Sequence, residues 1–273
     1  LQGSFEFSDF VADYDAVGRV VDATYRIDYA GPRFYYDYDP LDQLLSADDA
    51  SPNSVEESYA FDALGNRTIG DYSHTAHNRL DSDGTYDYEY DNEGRRTKRI
   101  ELVGEQPTGE TLEYKWDHRG RLTEVKTKTS PTGSVTQTVT YVYDAFDRRI
   151  RKRVQTTSTT TEERYVYDGD QILLQFDENN ARTNRYVYGP GVDELLFNET
   201  DVEDYWTFGD LQGTIRHTVS DDVTKGRTRQ YDAFGNLTYE ATRGSQAAAD
   251  LLFGFTGREF DEETGLQYNR ARY

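Results

Sequence analysis

The sequence predicts an all-β protein built of antiparallel hairpins laid side by side. Three observations carry that prediction: a short motif that recurs along the chain, alternation of aromatic with polar or β-branched residues before each copy, and the scarcity of helical periodicity. The motif is aromatic-Asp-x-x-[Gly/Asp]-[Arg/Asn/Gln]-x. It begins at Tyr14, Tyr38, Phe61, Tyr90, Trp116, Tyr143, Tyr167 and Tyr231, with weaker copies at His74, Tyr188 and Phe208. Most steps are about 20 to 27 residues, the period of a solenoid or an array rather than of separate domains.

Each unit can be justified in order. Tyr86-Asp87-Tyr88-Glu89-Tyr90, Tyr141-Val142-Tyr143, Tyr165-Val166-Tyr167 and Tyr186-Val187-Tyr188 alternate with period two, so each reads as a strand with one aromatic face. Asp-x-x-Gly then fits a type I turn with Asp at the first position and a residue of positive φ at the fourth, which closes a three-residue hairpin loop. The turn residues expected are Asp15 and Gly18, Asp62 and Gly65, Asp91 and Gly94, Asp117 and Gly120, Asp144 and Asp147, and Asp232 and Gly235. Asp42 and Asp147 stand in the Gly position, and Asp is among the few side chains that tolerate it. A second strand follows directly, as in Arg121 to Thr129. Stacked hairpins would place the Tyr rows in continuous aromatic ladders. The best helix candidate is short, Ser245 to Leu252, and Asp48 to Ser58 and Glu105 to Glu110 read as surface loops.

Composition narrows the function classes. Asp+Glu 51 against Lys+Arg 30 gives a net charge of −21, which disfavours nucleic acid and anionic membranes as partners. No apolar run suits a membrane helix, so no membrane insertion is expected. With Cys 0, disulfides, thiolate metal sites and Cys nucleophiles are excluded. Tyr 23 and Phe 13 in a chain only 35% hydrophobic mean a core built largely of aromatic rings. Met 0 and a first residue of Leu1 suggest that the natural start lies upstream.

The Asp-x-x-Gly-[Arg/Asn] units preceded by Tyr-x-Tyr resemble the YD repeats of Rhs proteins, of the Tc-toxin C components and, more distantly, of teneurins. The stretch from Tyr205 to Tyr273, closing with FTGREFDEETGLQYNRARY, resembles the end of the Rhs-associated core. The expected division is therefore residues 1–204 as YD/Rhs repeats and 205–273 as core end, continuous with the same β-spiral. Core-end residues carried over are Gly257, Arg258, Asp261, Glu263, Thr264, Gly265, Leu266, Tyr268, Asn269, Arg270, Arg272 and Tyr273.

The resemblance implies a spiral of hairpins winding into a YD-repeat shell or solenoid, an incomplete one if this length does not close a cavity. It also implies partners: flanking repeats, and an enclosed C-terminal cargo or toxin polypeptide of the same bacterial gene product, secreted or at the cell surface. In the family a DPxxG-type segment beyond the core end takes part in autoproteolysis; the chain stops at Tyr273, so no protease residue is carried over.

No catalytic, cofactor-binding or metal-ligating residue is predicted. Asp261-Glu262-Glu263 could form an acid/base pair, but reads better as a solvated turn or one paired with Arg258, Arg270 and Arg272. Asp81-Ser82-Asp83-Gly84 and Asp168-Gly169-Asp170 lack the further ligands of a calcium loop and read as turns. His74, His77, His118 and His217 make no zinc pattern and are expected at the surface. Two alternatives remain to the structural role: a cell-surface adhesin whose Tyr faces stack on glycan or protein, and an autoprocessing enzyme.

Overall fold

The computed structural model describes residues 9–26, 32–49, 56–244, 251–270, 272 and 273. The chain forms two compact units: one of residues 1–69, 205–250 and 255–257, the other of 70–204, 251–254 and 258–273. The core-end stretch is thus shared between the two. In the first unit β1 (Asp9–Tyr14), β2 (Val20–Arg26), β3 (Arg33–Tyr38), β4 (Leu44–Asp49) and β5 (Glu57–Ser58) pair in chain order as a five-stranded antiparallel sheet.

The second unit contains β6 (Tyr72–His74), β7 (Leu80–Asp83), β8 (Tyr86–Tyr90), β9 (Arg96–Val103), β10 (Gln106–Trp116) and β11 (Leu122–Lys128). It continues with β12 (Val135–Tyr143), β13 (Arg149–Thr156), β14 (Thr160–Asp168), β15 (Gln171–Phe176), β16 (Arg182–Tyr188) and β17 (Leu195–Thr200). Each strand pairs antiparallel with its neighbour in sequence. The first unit resumes with β18 (Tyr205–Gly209), β19 (Ile215–Ser220), β20 (Gly226–Tyr231) and β21 (Leu237–Arg243), paired in the same manner. A short hairpin, β22 (Glu259–Asp261) with β23 (Leu266–Tyr268), belongs to the second unit. Among the described residues the one departure from strands and hairpin turns toward a 3-10 turn is Phe255–Gly257, and Thr256 (φ 53°, ψ 26°) leaves the helical region within it. The helix candidate at Ser245 to Leu252 falls mostly outside the described residues, as does most of the Asp48 to Ser58 spacer, and Leu251 and Leu252 are not helical. The Glu105 to Glu110 spacer is largely strand, the start of β10.

The local chemistry of the YD motif explains the fold. The Asp carboxylate accepts the backbone N–H groups two and four residues on: Asp15 from Val17 and Arg19, Asp62 from Leu64 and Asn66, Asp91 from Glu93 and Arg95, all at 2.8–3.0 Å. Asp117, Asp144 and Asp232 repeat the pattern. Gly18, Gly65, Gly94, Gly120 and Gly235 close the turns with φ between 76° and 91°, and Asp42 and Asp147 take φ 64° and 66°. A one-residue bulge, where two residues face one, follows the turns closed by Gly18, Asp42, Gly94, Gly120, Asp147 and Gly235.

Two contacts link successive units. The residue after the Gly position is usually Arg: Arg121 holds its own Asp117 and reaches on to Asp147 of the next turn at 2.8 Å. The same guanidinium lies over the Tyr143 ring at 5.0 Å. Arg19 does likewise toward Asp42 and Tyr38, and Arg148 toward the Gly169 carbonyl and Tyr167. In the other direction four unit tyrosines donate to a backbone carbonyl one unit back: Tyr38 to Val20, Tyr90 to Leu80, Tyr143 to Leu122 and Tyr167 to Arg149. Trp116 substitutes with its indole N–H, donated to Arg96 at 2.7 Å.

Several expectations need correction. The rows of the second unit are not rings alone, since Arg149 lies over Tyr141 and Tyr165 at 5.4 and 5.5 Å. Direct ring contacts do run through Phe10, Tyr25, Phe34 and Tyr36 in the first unit. The Tyr167 copy turns through two residues with Gly169 at φ 58°, because Asp168 pairs directly with Gln171. The genuine turn comes later, at Asp177 to Asn180, where Asn replaces Gly at φ 63°. The Tyr188 copy closes through Gly189 and Glu194, with Asp193 at φ 54°.

Candidate functional site

The core of the second unit is one face of β10 to β13: Leu112, Tyr114, Leu122, Val125, Val139, Tyr141 and Val154. Leu266 and Tyr273 of the core end pack on that face, so the β22–β23 hairpin lies against the sheet. Beside this apolar contact sits a buried cluster of charge. Arg149 on β13 is fully buried, and its guanidinium binds both Glu259 and Asp261 of β22. Its Nη1 also donates to the Tyr273 hydroxyl at 3.2 Å. Lys152, three residues on, stands 3.6 Å from Asp261 and 3.2 Å from Glu263 and from Glu163.

The bulge after the Asp144 turn makes this possible. In a regular strand residues three apart point to opposite faces, but the extra residue brings Arg149 and Lys152 to the same buried face. Rings of Tyr141, Tyr165 and Tyr268 surround the Arg149 guanidinium at 4.8–5.5 Å. Burial opposes the charge of Arg149, but Asp261, Tyr273 and Glu259 outweigh it and hold its pKa well above the ordinary value. Lys152 is raised too, burial again opposed by Glu163, Asp261 and Glu263. Burial also raises Glu259, against the pull of Arg149. Asp261 has no solvent exposure, and its Oδ1 accepts no hydrogen bond, so the Lys152 charge is its compensation on that side.

The remaining core-end residues brace the hairpin. Gly265 takes φ 65°, and the Asp261 carbonyl accepts the N–H groups of Thr264 and Gly265 at 3.1 and 2.9 Å. The Glu263 carbonyl accepts Gln137 Nε2 at 2.8 Å, and the Tyr268 hydroxyl donates to the Asp147 carbonyl at 3.2 Å. Arg258 and Arg270 both bind Asp193. Asn269 donates its backbone N–H to the carbonyl of Arg272, whose side chain is exposed, and Gly257 takes φ 66° in the 3-10 turn of the first unit.

Of the acidic segment Glu262 is exposed, whereas Asp261 is buried and Glu263 half-buried, and these two pair with Arg149 and Lys152 rather than with the arginines nearest in sequence. Their partners, Arg149 and Lys152, lie about 110 residues upstream. The one signal for them in the sequence is the basic run Arg148-Arg149-Ile150-Arg151-Lys152-Arg153 following a YD turn. His217 is another correction: it is buried on β19, and burial, then Arg216, lowers its pKa to about 4. Among the described residues no three His, Cys, Asp or Glu come together as a metal site. Asp83 accepts the N–H groups of Thr85 and Tyr86 and so serves as a turn cap.

The fold and its turns agree with one family. The teneurin YD-shell family matches residues 7–272. The chain belongs to that family. This YD-shell chain is 30% identical over 250 residues to the tRNA3(Ser)-specific nuclease WapA of Bacillus spizizenii, covering 86% of this chain and 10% of that one. Identity is 30% over 202 residues to the probable deoxyribonuclease RhsA of Dickeya dadantii, covering 68% and 13%. The YD-shell chain thus spans about a tenth of the length of these two curated relatives.

Among solved structures it is similar to part of the Photorhabdus luminescens Tc holotoxin pore, with TM-score 0.57, 17% identity and coverage of 97% of this chain and 16% of that chain. A crystal structure of TcdB2-TccC3 gives TM-score 0.56 and 16% identity, covering 97% and 17%. Both show the fold. The chain is a shell-type segment of the Rhs kind.

Proposed function

We propose that this segment is a piece of wall that encloses or presents a polypeptide joined to it, and that its role is structural rather than catalytic. The observation that carries this reading is the YD-shell match over residues 7–272 on a ribbon whose successive units are stitched by Tyr, Asp and Arg. A sheet whose strands pair in sequence keeps its backbone donors and acceptors occupied, so it can separate two solutions without openings at its seams. The net charge of −21 keeps such a wall soluble and repels other acidic surfaces.

The buried carboxylates favour a tether over chemistry, because Asp261 and Glu259 are held by Arg149 with no room for a substrate between them. Their work is to fix the core-end hairpin against the wall and so set where the following chain departs. The setting we infer is secreted or at the cell surface of a bacterium. Limited proteolysis of the whole natural gene product tests the proposal. The joined polypeptide should resist cleavage until denaturant opens the shell; cleavage at the rate of the same polypeptide alone would refute it.

A further inference from the structure

The seat that Arg149 and Lys152 offer to Glu259 and Asp261 occurs a second time in the sheet, with no carboxylate in it. Arg96 and Arg99 on β9 stand five and eight residues after Asp91, just as Arg149 and Lys152 stand five and eight residues after Asp144. Register agrees as well. Arg96 faces Tyr90 and Arg99 faces Tyr88 across the ladder, as Arg149 faces Tyr143 and Lys152 faces Tyr141. The same bulge brings both basic residues to one face, since Tyr90 pairs with Arg96 and Glu89 with Lys98. Tyr114, the counterpart of Tyr165, completes the correspondence.

What differs is the partner. Arg96 lies over Tyr88 at 4.6 Å and Arg99 over Tyr86 at 4.4 Å, and among the described residues neither guanidinium reaches a carboxylate. Two buried polar atoms beside them, Arg99 Nε and Tyr114 Oη, have no hydrogen-bond partner. Arg99 also lines a cavity of about 450 Å³ with Thr127, Gln137 and Gly265; Glu110, Glu262 and Glu263 lie on its lining and none pairs with Arg99, Glu263 being held by Lys152. A third basic pair at this spacing, Arg182 and Arg185, is already served by Glu199 on the adjoining strand. In a chain with 51 acids and 30 bases, two unpaired arginines on one face are unusual.

We propose that Arg96 and Arg99 form an open seat for an extended acidic peptide, built on the plan by which Arg149 and Lys152 hold β22. The occupant is a polypeptide strand with carboxylates at alternate positions, as in Glu259-Phe260-Asp261, because that spacing presents both acids to one face. Each arginine offers a planar fork already stacked on a ring, so little side-chain freedom is lost on pairing. The orphaned Tyr114 hydroxyl supplies a third donor.

The test uses the whole chain and a fluorescein-labelled peptide with the sequence of residues 259–268, followed by anisotropy at low and physiological salt. Binding should weaken with salt, be lost when the peptide acids are changed to amides, and fall at least about tenfold in the Arg96→Gln/Arg99→Gln variant. Arg153→Gln, an exposed base on β13, should leave binding unchanged. Hydrogen exchange of the unaltered chain with bound peptide gives an answer even if that variant folds poorly: protection should appear on residues 96–101 and 111–116. Equal binding by the double variant, no binding by the unaltered chain, or protection on residues 149–156 instead, through displacement of the resident hairpin, would each overturn the proposal.

Discussion

Replacing Arg149 with Met keeps much of the side chain's length and removes its charge. Glu259 and Asp261 would then lie buried, at 9% and 0% side-chain exposure, with only Lys152 near them. Removing one partner of a buried pair costs about 3 to 5 kcal/mol, against about 0 to 1 kcal/mol for an exposed pair. Because Lys152 still compensates Asp261, the lower half of that range is expected, roughly 3 kcal/mol. Neutralising all three groups, as Arg149→Met/Glu259→Gln/Asp261→Asn, should recover most of the loss, since no uncompensated charge remains.

A stacked ribbon need not unfold in one step, so the loss should be read locally. Hydrogen exchange on residues 259–268 reports the opening of the hairpin, and urea unfolding followed by circular dichroism reports the sheet. The single variant should speed exchange of the hairpin by about 100-fold, the tenfold-per-1.4 kcal/mol equivalent of that loss. A cost below about 1 kcal/mol, within the range of exposed pairs, would refute the reasoning.

Further outcomes follow from single contacts. Gly120→Ala places a Cβ in open space but at φ 76°, so the strain alone should cost about 1 to 2 kcal/mol, and Gly120→Asn less, measured by urea unfolding. Tyr143→Phe removes the 2.7 Å bond to the buried Leu122 carbonyl and should cost about 1 to 2 kcal/mol in the same assay; no change would remove the Tyr from the stitching scheme. His217, held at about 4 against 6.5, favours the folded state most fully above pH 6.5, and that contribution is lost as pH falls from 6.5 toward 4. The bound is about 3 kcal/mol. Thermal unfolding at pH 7 and pH 4.5 should show a smaller drop in His217→Leu than in the unaltered chain, and an equal drop would contradict the assignment.

The turns were legible because their determinants are local. Asp15, Asp91 and Asp117 cap the N–H groups of their own turns, and Gly supplies the positive φ, so a handful of consecutive residues specifies the hairpin. Asp177 escaped the pattern because Asn180 does the work of Gly and Ala181 replaces Arg. The buried cluster was not legible. Nothing within the Glu259 to Glu263 stretch encodes a partner at Arg149; that pairing exists only once the hairpin folds back on β13, whereas the arginines nearest in sequence, Arg258 and Arg270, bind Asp193. The burial of His217 is hidden from the sequence for a similar reason, since it depends on what packs over β19 rather than on its neighbours along the chain.

Electron cryomicroscopy of the whole natural gene product, at a resolution that shows side chains, tests the wall most directly. It should reveal hairpins coiling around a lumen, with Arg149 clamped between Glu259 and Asp261 on a core-end hairpin laid against the sheet. A solid body with no interior space, or that hairpin detached with Arg149 facing water, would contradict the account.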